Sequence, residues 1–216
     1  MLKRVLVLVS AALCLAACSE LPPDTAPEGE APLAIDAIYR LLFNGQLVGN
    51  ALFEFELFEG GGYRIDALTA PAGQMAVQSA DEVLESSRGS LDAETIQPAR
   101  FEHSVMRAGQ IDLISVAFDW QRRRLRVQGG QAQRDVVLLP GTHDRLSYLL
   151  AAYRLAVAGD GAVQLQVATA EASEETILEV TGREPVALPS GHYEAVVVHR
   201  ITPNLEESRQ FWFDPA

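Results

Sequence analysis

His143, Asp144 and Ser147 bring an imidazole, a carboxylate and a hydroxyl within five residues of one another, the densest group of chemically capable side chains in the sequence. Hydrolysis by a serine nucleophile needs that hydroxyl beside a base, an acid that orients the base, and donors for an oxyanion. If a helix begins here, His143 and Ser147 share a face at i, i+4, while Asp144 points about 100° around the axis and is badly placed to orient the ring. No G-x-S-x-G elbow occurs. The expected role of the trio is capping at a helix end, and no catalytic residue is assigned. The four histidines, His103, His143, His192 and His199, have no H-E-x-x-H spacing. His192 and Glu194 share a strand face but would need distant partners to hold an ion, so no metal and no cofactor are expected. Gly60-Gly61-Gly62 lacks the Gly-Lys-Ser/Thr of a phosphate loop and reads as a turn. Asp119-Trp120 precedes Gln121-Arg122-Arg123-Arg124, a hairpin tip in which Asp119 is expected to pair with an arginine or cap the turn.

The other reactive group is a thiol. Lys3 and Arg4 followed by the apolar run Val5 to Leu15 form a short secretory signal, too short to span a bilayer of ~30 Å. It ends in Leu15-Ala16-Ala17-Cys18, which resembles the lipobox of bacterial lipoproteins, with cleavage before Cys18 and diacylglycerol on its sulfur. The two cysteines are Cys14, inside the removed segment, and Cys18. An intrachain disulfide is thereby excluded in the mature chain, and a thioether accounts for a lone thiol in an oxidising compartment. Ser19 follows, and in the resembled lipoproteins a residue other than Asp there implies the outer membrane, facing the periplasm. The division expected is 1–17 signal peptide, 18–34 lipidated Cys and Pro-rich tether, and 35–216 a single β-rich domain. Pro22, Pro23, Pro27 and Pro32 interleaved with Asp24, Glu28 and Glu30 keep the tether extended. A formal charge of −12 argues against nucleic acid, which clustered lysines and arginines bind. The membrane contact is expected through the lipid anchor on Cys18, and two or more acyl chains anchor a protein stably.

The elements that must position these residues are mostly strands. One helix is predicted within Pro140 to Gly161: Leu146, Leu149, Leu150, Tyr153 and Val157 fall on one stripe, Thr142 suits the cap, and Gly159-Asp160-Gly161 stops it. Ile35 to Phe43 and Gln46 to Phe58 flank Asn44-Gly45, a favoured hairpin turn. Phe53, Phe55 and Leu57 alternate with Glu54 and Glu56, one face dry and one wet. Further strands are predicted at Tyr63 to Thr69, Met75 to Ser79, Val83 to Ser87, Ala99 to Arg107, Ile111 to Trp120, Arg124 to Gln128 and Arg134 to Leu139. After the helix come Ala162 to Ala168, Thr176 to Thr181, Glu184 to Leu188, Tyr193 to Ile201 and Ser208 to Phe213. The fold expected is mainly β, a large curved antiparallel sheet, half-barrel-like, with one packed amphipathic helix.

Tyr39, Gly45 with Gly49, Tyr63, Ser87-x-Gly89, Pro98, Phe101, Phe118-Asp119-Trp120, Asp144-x-Leu146-Ser147 and Pro189-x-Gly191 stand in an order that resembles the bacterial family called domain of unknown function 3108, over roughly Asp36 to Asp214. The resemblance implies a β-rich envelope protein without an established activity, and it carries over no catalytic residue. In architecture alone it is similar to the periplasmic lipoprotein-localisation factors, whose curved sheet wraps a hydrophobic cavity plugged by helices. The function expected is non-catalytic: a lipid-anchored module that binds a lipid or other amphiphile in a hydrophobic groove, with an envelope scaffold or adaptor as the alternative and a hydrolase last. The candidate groove residues are Phe53, Phe55, Leu149, Leu150 and Tyr153, between sheet and helix.

Overall fold

The computed structural model describes residues 33–130, 132–169, 173–203 and 209–215. The signal segment, Cys18 and the Pro-rich stretch lie outside the described residues.

Eight strands run as an antiparallel meander in strict chain order: β1 (Leu33–Phe43), β2 (Gln46–Leu57), β3 (Gly62–Pro71), β4 (Glu82–Leu91), β5 (Ile96–Arg107), β6 (Gln110–Asp119), β7 (Arg124–Gly129) and β8 (Ala132–Val137). Consecutive strands pair as hairpins, and the connections are short except between β3 and β4. Asn44 and Gly45 take φ of 50° and 76°, as a tight turn with both central residues left-handed requires. The register carries the alternation across the whole sheet. Phe55, Ile65, Ser87, Phe101, Val116 and Val127 stand opposite one another in turn and make one row of the inner face. Glu56, Arg64, Arg88, Arg100, Ala117 and Arg126 make the row behind it on the outer face, where Arg64 pairs with Glu56 at 2.6 Å.

A second sheet of five strands has the order β13-β12-β11-β10-β9: β9 (Thr142–His143), β10 (Ala162–Ala168), β11 (Ser173–Leu188), β12 (Gly191–Ile201) and β13 (Arg209–Phe213). All pairings in it are antiparallel except β9 with β10. Between the two sheets lies the helix α2 (Tyr148–Ala158). Its sequence YLLAAYRLAVA is apolar nearly all round, which suits a helix covered on two sides. Leu146 just before it, with Leu150 and Ala151, packs on Phe55, Tyr63, Ile65, Phe101 and Val116 of the large sheet. Tyr148, Ala152 and Ala156, at i, i+4 and i+8, pack on Leu165, Val167, Leu178, Val196 and Val198 of the small one. Small residues at 152 and 156 let the backbone lie close to that sheet.

Several expectations change in detail. The helix begins six residues later than its cap was predicted: Thr142 belongs to β9 and its hydroxyl donates to the Leu139 carbonyl at 2.7 Å. Gly159, at φ 85°, ends the helix as predicted, its N–H bonding Leu155 O at 3.1 Å. Tyr153 and Val157 are exposed, because the helix buries two faces and these belong to neither. Met75 to Ser79 is a single helical turn, α1 (Met75–Gln78), in the β3 to β4 connection. Its Val77 is 88 % exposed and has no sheet to alternate against. Strand β1 begins at Leu33, so residues 33 and 34, assigned to the tether, pair with Leu57 and Glu56. Thr176 to Thr181 and Glu184 to Leu188 are one long strand that shifts register at Val180/Gly182, where Gly182 takes φ 152°.

Candidate functional site

Two features meet at the start of α2. The first is a buried polar network. Ser87 is the polar member of the apolar row described above, and it is fully buried. Its hydroxyl donates to Asp144 Oδ2 at 2.7 Å, and Tyr63 OH stands 3.3 Å from Ser87 Oγ, which is left to accept. Asp144 Oδ1 accepts the N–H groups of Leu146 and Ser147 at 2.8 Å each, and Ser147 Oγ accepts the Asp144 N–H at 2.9 Å. This reciprocal pair of bonds satisfies donors that the turn into α2 would otherwise bury unpaired. Burial pushes the Asp144 carboxyl up, and its hydrogen bonds pull it back. Burial first, and then the Asp144 charge, pushes the Tyr63 phenol up, so Tyr63 keeps its proton. Among the described residues no hydrogen bond links Asp144 to His143. The geometry is that of a cap locking the helix to the large sheet through Asp144 and Ser147, with Ser87 as the anchor on the other side, whereas His143 of the trio takes no part in it.

The second feature is a cleft of about 610 Å³ beside the helix. Its sides are the β4 to β5 loop, the turn after β6, the segment around Leu138 to His143, one side of α2 and the start of β10. Ile96, Leu138 and Leu165 are buried at its floor, with Trp120, Ala151 and Leu155 half-buried above them. The Trp120 indole N–H is held by Pro98 O at 2.7 Å, and its ring stacks on Phe118. Exposed Glu94, Gln97 and Arg123 stand at the mouth. Arg123 sits at φ 52° in the turn that Asp119 caps through the Arg122 N–H and guanidinium, both at 2.9 Å. Arg122 is thus spent on Asp119, and Arg124 and Arg126 on Asp135, whereas Arg123 has no ion pair among the described residues. Arg154 donates to the backbone carbonyls of Asp92 and Thr95, and the Asp92 carboxylate is close enough to feel its charge. His143 reaches the cleft from β9. Only 6 % exposed, it has no hydrogen-bond partner for Nδ1, and burial, reinforced by the Arg154 charge, pulls its pKa down to about 4. The ring is a neutral imidazole. A second polar group, Glu85 with His103 at 3.0 Å and Arg145 at 3.3 Å, lies on the inner face of the large sheet away from this cleft.

The residues proposed from sequence lie elsewhere. Phe55 is in the packed core, Phe53 packs against it, and Leu150 fills the large-sheet side of the helix. Leu149 packs against the small-sheet cluster, and exposed Tyr153 meets Phe213 edge-on at 6.0 Å between ring centroids. None of the five lines the cleft. The sheet-helix interface where the groove was expected is packed core, and the cleft is a different surface of the helix, lined by residues that periodicity gave no reason to group. Cys18 is outside the described residues. No group of three or more His, Cys, Asp or Glu among them is placed to hold a metal ion, and no described helix is long and apolar enough to cross a membrane.

Part of the motif set scattered along the sequence converges here. Tyr63, Ser87, Asp144 and Ser147 form the network, Leu146 plugs the core beside it, and Pro98 with Trp120 walls the cleft. Gly89 belongs to the same assembly for a steric reason: a Cβ there would stand 2.3 Å from Gln97 O and 2.8 Å from the Tyr63 ring. The signal available in the sequence was a serine at an inward-facing strand position two residues before a glycine.

Fold and site together define a mainly β protein whose two sheets enclose one helix and leave a largely apolar cleft with Arg123, Arg154 and Glu94 at its rim. The chain belongs to the family described as Protein of unknown function (DUF3108), whose model matches residues 38–216. Among solved structures it is similar to the "Beta-barrel-like Protein of Domain of Unknown Function DUF1849 from Brucella abortus", with a TM-score of 0.52, 14 % identity and 77 % of each chain covered. At that identity the likeness is one of fold. No curated protein matches the chain.

Proposed function

We propose that this protein is a non-catalytic envelope module that holds a single-chain amphiphile in the cleft beside α2, and that a lipid on Cys18 keeps it at the outer membrane facing the periplasm. The observation that carries the reading is the cleft's division into a dry floor of Ile96, Leu138 and Leu165 and a mouth where two guanidinium groups, Arg123 and Arg154, outnumber one carboxylate, Glu94. Its volume of about 610 Å³ falls within the ~300–1,000 Å³ of small-molecule sites. A buried acyl chain gains about 0.8 kcal/mol per methylene, and an anionic head group at the two guanidinium groups completes the match. The unpartnered His143 Nδ1 in the wall, donor or acceptor according to the tautomer of the neutral ring, favours a head group that also carries a hydrogen-bonding group, such as a hydroxyl.

The test is mass spectrometry of lipids retained by the full-length chain, with displacement of a fluorescent fatty acid as a second readout. Val163, half-exposed on the β10 side of the cleft, takes the disruptive change: Val163→Glu should abolish probe uptake while the unfolding midpoint stays near wild type. A wild type that retains no lipid and takes up no probe would sink the amphiphile reading. The anchor is tested separately: Cys18→Ala should release the protein from membranes and abolish fatty-acid labelling.

A further inference from the structure

Strand β1 ends the large sheet, paired with β2 on one side and, among the described residues, with nothing on the other. Such an edge offers a row of free N–H and C=O groups, and native proteins blunt it with charge, proline or a covering segment. Here it is long and apolar. Of its eleven residues LAIDAIYRLLF, all but two are exposed, among them Ile35, Tyr39, Leu42, Phe43 and Ile38, the last at 78 %.

Two charges interrupt it, Asp36 and Arg40, both on the outer face with Ile38 between them. Neither has an ion pair or hydrogen bond among the described residues. Asp36 stands directly opposite Glu54 of β2, whose next neighbour is Asp66 of β3, so three carboxylates share one row, of which Asp66 is paired with Arg64 at 3.1 Å. Like charges in facing positions are unfavourable, and a cation supplied from the free side would relieve them.

We propose that the occupant of this edge is β1 of a second copy of the chain, paired antiparallel about a two-fold axis at Ile38. Ile38 is the midpoint of Leu33–Phe43, so this register gives the fullest overlap of the two strands. The same register sets Asp36 opposite the second copy's Arg40, and Arg40 opposite its Asp36, with Cα atoms ~4.5–5.5 Å apart. Sliding the copy by two residues puts both charges against apolar side chains. A slide of four sets Asp36 against Asp36, or Arg40 against Arg40. A slip of one residue brings one copy's outer face beside the other's inner face. Charge and overlap therefore select one register, the self-complementary one that an isologous interface needs. The pairing also joins the outer-face row Leu84, Leu68, Leu52, Ile38 to its copy in one apolar band over the eight central strands of a sixteen-stranded sheet, four from each protomer.

The experiment is sedimentation of the full-length chain in density-matched detergent, with charge swaps. Wild type should be a dimer at micromolar concentration. Asp36→Arg and Arg40→Asp, each alone, should raise the dimer dissociation constant by at least tenfold, because each sets like charges together twice. Mixing the two variants should restore a dimer containing one of each, as should the double swap Asp36→Arg with Arg40→Asp. A wild type that is monomeric at tens of micromolar, as it would be if the edge instead awaited a strand of another protein, overturns the proposal. A dimer indifferent to the swaps, or a mixture that does not recover, overturns it equally.

Discussion

Replacing Asp144 with Ala and with Asn separates a structural cap from a dispensable polar cluster. In Asp144→Ala the N–H groups of Leu146 and Ser147 and the hydroxyl of Ser87 lose their acceptors inside the protein. Loss of a cap costs about 0.5–2 kcal/mol, and buried unsatisfied donors cost about 1–3 kcal/mol. Removing a desolvated charge offsets part of that, so the expected net loss is roughly 3–4 kcal/mol. Asp144→Asn keeps an oxygen for the two N–H groups. Its amide N–H₂ faces Ser87, whose hydroxyl can turn, accept from the amide and donate to Tyr63 OH, reversing the direction of the Tyr63 to Ser87 bond. The Asn variant should therefore lose no more than about 1 kcal/mol. Ser87→Ala, which strips one donor from a buried carboxylate, should cost about 1.5–3 kcal/mol and couple to the Asp144 changes in a double-mutant cycle. The assay is urea unfolding at pH 7, with midpoints compared at constant slope. Equal small losses in the Ala and Asn variants would show that the network does not hold α2 to the sheet.

Gly89→Ala should destabilise by about 2 kcal/mol or more, since its Cβ would meet backbone at Gln97 and Pro98 as well as the Tyr63 ring; a midpoint equal to wild type would contradict the close approach. Ala152→Leu forces extra volume between α2 and the small sheet and should cost about 1–3 kcal/mol, whereas Tyr153→Ala, on the exposed side, should cost less than about 1 kcal/mol, both read by thermal unfolding. His143 makes stability depend on pH. Its folded pKa of about 4 lies below the usual 6.5, so the unfolded chain takes up a proton first and stability is lost as pH falls from about 6.5 to about 4, on the order of 3 kcal/mol in all. Asp144, pushed up by burial, works in the opposite sense and gains stability on acidification. Subtracting the pH profile of His143→Gln, which keeps Asp144, isolates the imidazole; identical profiles would refute its burial as a neutral ring.

The local code of this protein is legible without coordinates. The Asn44-Gly45 turn, the Phe-Glu alternation of β2, the Gly159 stop and the apolar character of the helix are statements about neighbouring residues, and backbone sterics and side-chain period suffice for them. The mainly β class and the family follow from the same local signals in order along the chain. What periodicity cannot encode is how many partners an apolar surface has. Leu150 and Tyr153 look equivalent on one stripe, yet one is enclosed by the large sheet and the other is exposed, because a second sheet claims the face of Tyr148, Ala152 and Ala156. The site is tertiary for the same reason. Ser87 and Asp144 are separated by 57 positions and meet at 2.7 Å only because the meander lays β4 beneath the start of α2. The cleft is likewise what remains where the loop before β5, the turn after β6, the helix and β10 fail to fill the space between them. That shortfall depends on the volumes of residues distant in sequence, which no stretch of the chain carries by itself.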